Sequence, residues 1–168
     1  MDGMTNKMLA AILAATLVCG TLDIISAFVF AGLVGAAPAQ VLRYVASGPF
    51  GDGMRDAGNA AAGIGLVTHF AIMAVMVSVF VIAASRIAAI RSNPVLAGVV
   101  YGLLLYAVMY WIVVPTRWTG HYPAMTLWSV ANALFSHIVC VGIPMALITT
   151  RYLGRPAPIS ATPSISGR

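Results

Sequence analysis

Asp23 is the most expensive residue in this chain. It sits near the middle of an apolar run from Met8 to Val34, and an aspartate at that depth in hydrocarbon costs about 2.5–3.5 kcal/mol on insertion scales. No Lys or Arg lies inside any comparable apolar run to pair with it. Cys19, Asp23 and Ser26 recur at i, i+4 and i+7, one face of a helix. Two histidines occupy similar apolar settings, each preceded by a hydroxyl: Thr68-His69 and Ser136-His137. Ser129, Asn132, Ser136 and Cys140 form a polar stripe beside His137, and Tyr106 and Tyr110 lie one turn apart in another apolar run. These residue types admit three chemistries. They can satisfy one another as interhelical hydrogen bonds, each contributing about 0.6–2 kcal/mol. They can hold a cofactor: His69 and His137 as axial ligands of a haem iron, or His69, Met73 or Met76, Cys140 and Met145 as soft ligands for copper. Or they can form a path for a proton or small solute, since an intramembrane Asp with histidines is the usual material of a relay.

The elements that must position these residues follow from composition. Of 168 residues, 61% are apolar and only 8% charged, and the mean hydropathy is +0.96, whereas a soluble domain carries about 25% charged residues. That excludes a soluble enzyme, a disordered chain and a nucleic-acid-binding module. The basic pI of 9.7 rests on nine Lys and Arg against four Asp and no Glu. Four apolar runs, about 8–34, 60–84, 94–114 and 125–148, are long enough to cross a bilayer. The expected fold is therefore all-α: a polytopic membrane four-helix bundle over residues 1–153, with the Pro- and Ser-rich stretch 154–168 as a disordered cytoplasmic tail. The first run is nearly twice the length of a signal-peptide core and reads as a retained helix. If the second and fourth helices run parallel, with the first and third antiparallel to them, Asp23, His69, Tyr106 or Tyr110, and His137 converge in one layer.

Orientation follows from the basic residues in short loops. With the N-terminus inside, Lys7, Arg86, Arg91, Arg151, Arg155 and Arg168 are cytoplasmic, and Arg43, Arg55 and Arg117 lie opposite. Six against three favours both termini inside, in a multi-pass membrane protein. Tyr44, Phe50, Trp118, Tyr122 and Trp128 collect at the outer boundary as an aromatic belt, and His121 reads as part of it. Residues 38–47 read as a short interfacial helix with Val41, Leu42 and Val45 on one face, ended by Gly48-Pro49. The glycines that follow lack the Gly-Lys-Ser/Thr of a phosphate loop. Gly98 and Gly102 form a GxxxG element, suited to close packing within the bundle or between protomers. Pro144 should kink the fourth span. Cys19 and Cys140 both fall within spans, so a disulfide of the secreted kind is not expected.

Several stretches together resemble a group of small bacterial four-helix membrane proteins related to the YagU-like inner-membrane proteins. They are Gly20-Thr-Leu-Asp-Ile-Ile-Ser-Ala-Phe28, Val41-Leu-Arg-Tyr-Val-Ala-Ser-Gly48, Gly65-Leu-Val-Thr-His-Phe70 and Ser136-His-Ile-Val-Cys-Val-Gly-Ile-Pro-Met-Ala146. Leu96-Ala-Gly-Val-Val-Tyr-Gly102 and Val113-Val-Pro115 belong to the same set. The resemblance runs from about residue 10 to 151. It implies the fold and a bacterial inner-membrane location, and it carries over no catalytic role.

The functional reading is an integral membrane protein whose polar layer of Asp23, His69, Tyr106, Tyr110, Ser136 and His137 handles a proton, a small solute, or a bound haem or metal at His69 and His137. The alternative is a structural or accessory subunit in which that layer only fixes helix packing. An enzyme is the third choice, because no nucleophile–base pair or substrate motif is visible. The implied partners are the lipid bilayer and, through GxxxG, a second copy or a larger membrane complex. Orientation has a direct check: Asp52→Cys should be labelled by an impermeant thiol reagent from outside intact cells, and Ser164→Cys should not. The reverse pattern would overturn the assignment.

Overall fold

The computed structural model describes residues 3–118 and 126–156. His121, Tyr122 and most of the expected tail lie outside them. Among the described residues there is no strand, and four helices are long and apolar enough to cross a membrane. They are α1 (Gly3–Gly32), α3 (Gly58–Arg86), α5 (Pro94–Arg117) and α6 (Leu127–Leu153). The described residues also include two shorter α-helices, α2 (Pro38–Phe50) and α4 (Ala88–Ser92), and a 3-10 turn at Asp52–Arg55. The protein is an all-α four-helix membrane bundle. Each long helix is a few residues longer than its apolar run, though α1 ends at Gly32, two residues before that run does, and α6 begins only at Leu127.

The bundle turns the composition of a soluble core outward. Leu13, Leu17, Val67, Val75 and Val100 are exposed, whereas Ala11, Ala15 and Cys19 on α1 are completely buried. Helices in lipid gain little by hiding leucine from leucine, so small residues that admit close backbone approach decide which faces meet. The seam between α5 and α6 is the clearest case. A Cβ placed on Gly98 would lie 2.6 Å from the Gly142 carbonyl oxygen, and one on Gly102 would lie 2.5 Å from the His137 carbonyl oxygen. Gly142 packs in turn against the Gly98 carbonyl. The GxxxG element is thus consumed inside the bundle rather than offered to another protomer.

Sequence alone marks Pro144 as a kink, and the structure shows how α6 accommodates it and how α5 accommodates Pro115. Met109–Val113 of α5 and Phe135–Gly142 of α6 are π-helical, and each lies just before a proline, Pro115 and Pro144. At the residue preceding each proline, the N–H reaches five residues back, Val114 to Met109 and Ile143 to Ile138. The wider turn makes room for a ring that would otherwise strike the preceding turn. Both helices therefore run on through their prolines, and α5 reaches Arg117.

The α2 helix also differs from expectation. It continues through Gly48 and Pro49 to Phe50, and it packs on α3, where Gly65 lies against the Leu42 backbone. Its last carbonyls are satisfied from a distance. Arg117 at the end of α5 donates through Nη2 to the Ser47 oxygen at 2.7 Å and through Nε to the Gly48 oxygen. Arg91 does the same at the other end of the bundle, donating to the oxygens of Leu153 and Gly154 at 3.3 and 2.9 Å. Basic side chains at helix C-termini are favourable both as donors and as charges.

Packing makes a prediction about glycines. Gly102→Val and Gly142→Val should each destabilise the detergent-solubilised protein by about 1–3 kcal/mol or prevent folding, the usual range for overpacking. At Gly63 an added methyl group would meet nothing within 4 Å, so Gly63→Ala should be tolerated with no loss. Denaturant titration in detergent micelles distinguishes the two classes.

Candidate functional site

Three helices bring Asp23 of α1, His69 of α3 and His137 of α6 to one cavity of about 190 Å³. Each residue lies roughly 15 Å along its helix from the bundle end that carries Arg117, at 1.5 Å rise per residue. That is about half the depth of a ~30 Å hydrocarbon core. Val41 and Val45 of α2 close one side of the cavity, and Ile72, Met73, Met76, Leu105 and Met109 form much of the rest.

Each histidine is fixed by a backbone carbonyl. His69, buried, donates from Nε2 to the Gly20 oxygen at 2.9 Å. His137 donates from Nδ1 to the Ala133 oxygen at 2.9 Å, one turn back on its own helix. Since a carbonyl only accepts, the neutral ring in each case keeps its other nitrogen, Nδ1 of His69 and Nε2 of His137, as an acceptor. The Asp23 carboxyl lies within electrostatic reach of both rings, and among the described residues none donates a hydrogen bond to it. The cavity therefore gathers acceptors without matching donors.

The remaining expected residues divide. Tyr106 and Tyr110 sit edge-on to His137, with ring centroids 6.3 and 5.8 Å away, and pack on each other at 5.2 Å. They brace that imidazole and are not among the residues lining the cavity. Ser136 turns toward α1, where its hydroxyl meets that of Ser26 at 2.8 Å. Close by, the Cys19 thiol donates to the Val141 oxygen at 3.5 Å. Both cysteines are free and buried. These contacts form a satisfied polar seam between α1 and α6, distinct from the open acceptors of the cavity.

A haem does not fit this site. About 190 Å³ is room for roughly six waters at about 30 Å³ each, and it falls below the ~300–1,000 Å³ of pockets that hold drug-sized ligands. For a metal ion, imidazoles anchored through one nitrogen are suitably oriented. Among the described residues, however, no group of three or more His, Cys, Asp or Glu is placed to hold one. Met73 and Met76 line the cavity with His69, while Cys140 and Met145 do not.

Sequence reasoning missed a second cluster at the Arg117 end. Tyr44 and Trp118 stack at 4.8 Å, and the Arg55 guanidinium sits over both rings. Asp52 accepts from Trp118 Nε1 at 3.0 Å and pairs with Arg55 and Arg117 at 3.5 and 3.4 Å. Burial pushes the Tyr44 hydroxyl above the ordinary tyrosine value; Arg55 opposes the shift, Asp52 adds to it and Arg117 opposes it. Residues that read singly as topology charges and belt aromatics thus form one strap joining α2 to α5. Only their co-occurrence at two loop ends hints at it.

No family model, curated protein or solved structure matches the chain.

The geometry predicts unequal costs for the two imidazoles. His69→Ala removes both a buried ring and an interhelical hydrogen bond to the Gly20 carbonyl, and should destabilise by about 1–3 kcal/mol. His137→Ala frees only the Ala133 carbonyl, and it should cost less. Chemical denaturation of the two variants in one detergent gives the comparison, and equal losses would contradict it.

Proposed function

We propose that this integral membrane protein takes up a proton or a small polar solute at Asp23, His69 and His137, within a bacterial inner membrane and with both termini cytoplasmic. The observation that carries the reading is the single cavity lined by all three side chains at mid-depth. Carboxyl and imidazole side chains are the usual groups of an intramembrane proton relay, and in hydrocarbon such groups are found where they face a path or a cavity. The six-to-three distribution of basic residues supports the orientation. The resemblance to YagU-like proteins supports the location.

A second reading, in which the polar groups only set helix register, has its own support in the Ser26–Ser136 and His69–Gly20 hydrogen bonds. The two readings part at Asp23. Purified protein in liposomes containing a pH-sensitive dye, driven by a potassium diffusion potential, should acidify or alkalinise the lumen faster than empty liposomes. Asp23→Asn should fold with the parent's thermal stability and lose that flux. Flux that survives the substitution, or a parent that carries none, would favour the register reading.

A further inference from the structure

The helices α3 and α5 enclose a groove instead of a packed interface. Ile72, Val75, Met76 and Val79 of α3 face Leu104, Val108, Met109 and Val113 of α5 across a space of about 480 Å³ with a wholly apolar lining. It continues toward the Arg117 end into a second space of about 400 Å³ bounded by Tyr44, Pro49 and Trp118. Val75 and Leu104 are more than half exposed, at 65% and 54%, so the groove opens sideways into the lipid. Ile72, Met76, Leu105 and Met109 line both this groove and the cavity of Asp23, His69 and His137. Four side chains thus border both the groove and the cavity.

The chemistry of the cavity selects the occupant. Asp23 is the acidic group on the lining, and His69 Nδ1 and His137 Nε2 add two acceptors, with no Lys or Arg there. A head group that is cationic and donates hydrogen bonds complements this set. An anion meets the carboxylate, and a ketone or ether brings only further acceptors. The groove supplies the place for an apolar tail. We infer that the site admits, from the bilayer, a single-chain lipophilic ammonium: its –NH₃⁺ on Asp23 and the two imidazoles, its chain lying between α3 and α5. This rests on the proposed function and names the solute class for it.

Decylamine, a primary ammonium with one alkyl chain, is a direct probe. The full-length protein in zwitterionic-lipid nanodiscs, one chain per disc, should bind labelled decylamine saturably at one site per chain above partitioning into empty discs. Decanol and decanoate should fail to compete. Asp23→Asn should weaken binding by about tenfold or more, as expected when a desolvated charge loses its partner. Val75→Trp and Leu104→Trp, which fill the groove away from the cavity, should weaken it while leaving amine-free proton flux unchanged.

Absence of saturable binding in a parent that still shows Asp23-dependent proton flux would overturn this inference and leave the proposed function standing. Competition by decanol, with Asp23→Asn binding unimpaired, would overturn the ammonium assignment in favour of a neutral amphiphile. Groove variants that alter oligomeric state and not decylamine binding would make the groove an interface between copies, and the inference would fall. Loss of both flux and binding in the parent would remove both readings together.

Discussion

Backbone-to-backbone contact between α5 and α6 is the constraint on which the other features depend. Gly98, Gly102 and Gly142 leave no room for a side chain between the helices, and the His137 carbonyl rests on Gly102. In lipid the gain from such contact is dispersion and close packing, because apolar burial contributes little between helices. The π-helical stretch of α6 lies along the same seam. Its wider turn accommodates Pro144 while keeping the residues on either side of it in contact with α5. The imidazole of His137 is carried on that stretch, and the position of Tyr106 and Tyr110 against it follows from where α5 is pinned. With α5 committed to α6, and α3 held to α1 through Gly20, Phe70 and His69, nothing draws α3 and α5 together except long side chains. Tyr101 reaches the Met76 carbonyl at 2.8 Å and packs on Phe80; the groove opens beyond them.

Much of this is legible in residue order. Four spans, their alternation and the shared depth of Asp23, His69 and His137 follow from apolar run lengths and a fixed rise per residue. Hydropathy locates helix number well and helix ends poorly, because Arg117 and Arg151 extend α5 and α6 as capping and interfacial residues without adding apolar signal. The GxxxG pattern is visible, but its partner is not. The partner's small residue, Gly142, sits inside a π-helical segment where 3.6-residue periodicity assigns the wrong face. At Pro144, sequence shows the missing N–H and not the wider π-helical turn that precedes it.

The division among the polar residues is less legible still. Ser136 and His137 are adjacent, yet one closes a hydrogen bond with α1 and the other faces the cavity. Adjacent residues on a helix point about 100° apart, at 3.6 residues per turn, so they serve different neighbours, and which neighbour each meets depends on helix order around the bundle. That order is α3, α1, α6, α5, and composition does not encode it. The strap of Tyr44, Asp52, Arg55, Arg117 and Trp118 is hidden by distance in sequence; its members read as independent loop charges and aromatics until α2 is seen to end beside α5.

The contrast between the two polar regions bears on what the cavity is for. Elsewhere along α1 and α6 the outcome is mixed: the Ser26 and Ser136 hydroxyls meet at 2.8 Å, while those of Thr16 and Thr149 are buried without a hydrogen-bond partner. Three residues from Ser26 on the same helix, Asp23 receives no such partner among the described residues and opens onto about 190 Å³. A residue needed only for packing would gain from Asn or Ser at that position, which keep a hydrogen-bonding group without a carboxylate's desolvation cost. The carboxyl beside two imidazoles, with an apolar groove that shares four of the cavity's lining side chains, is the arrangement that the proposed proton or cationic head group would complete.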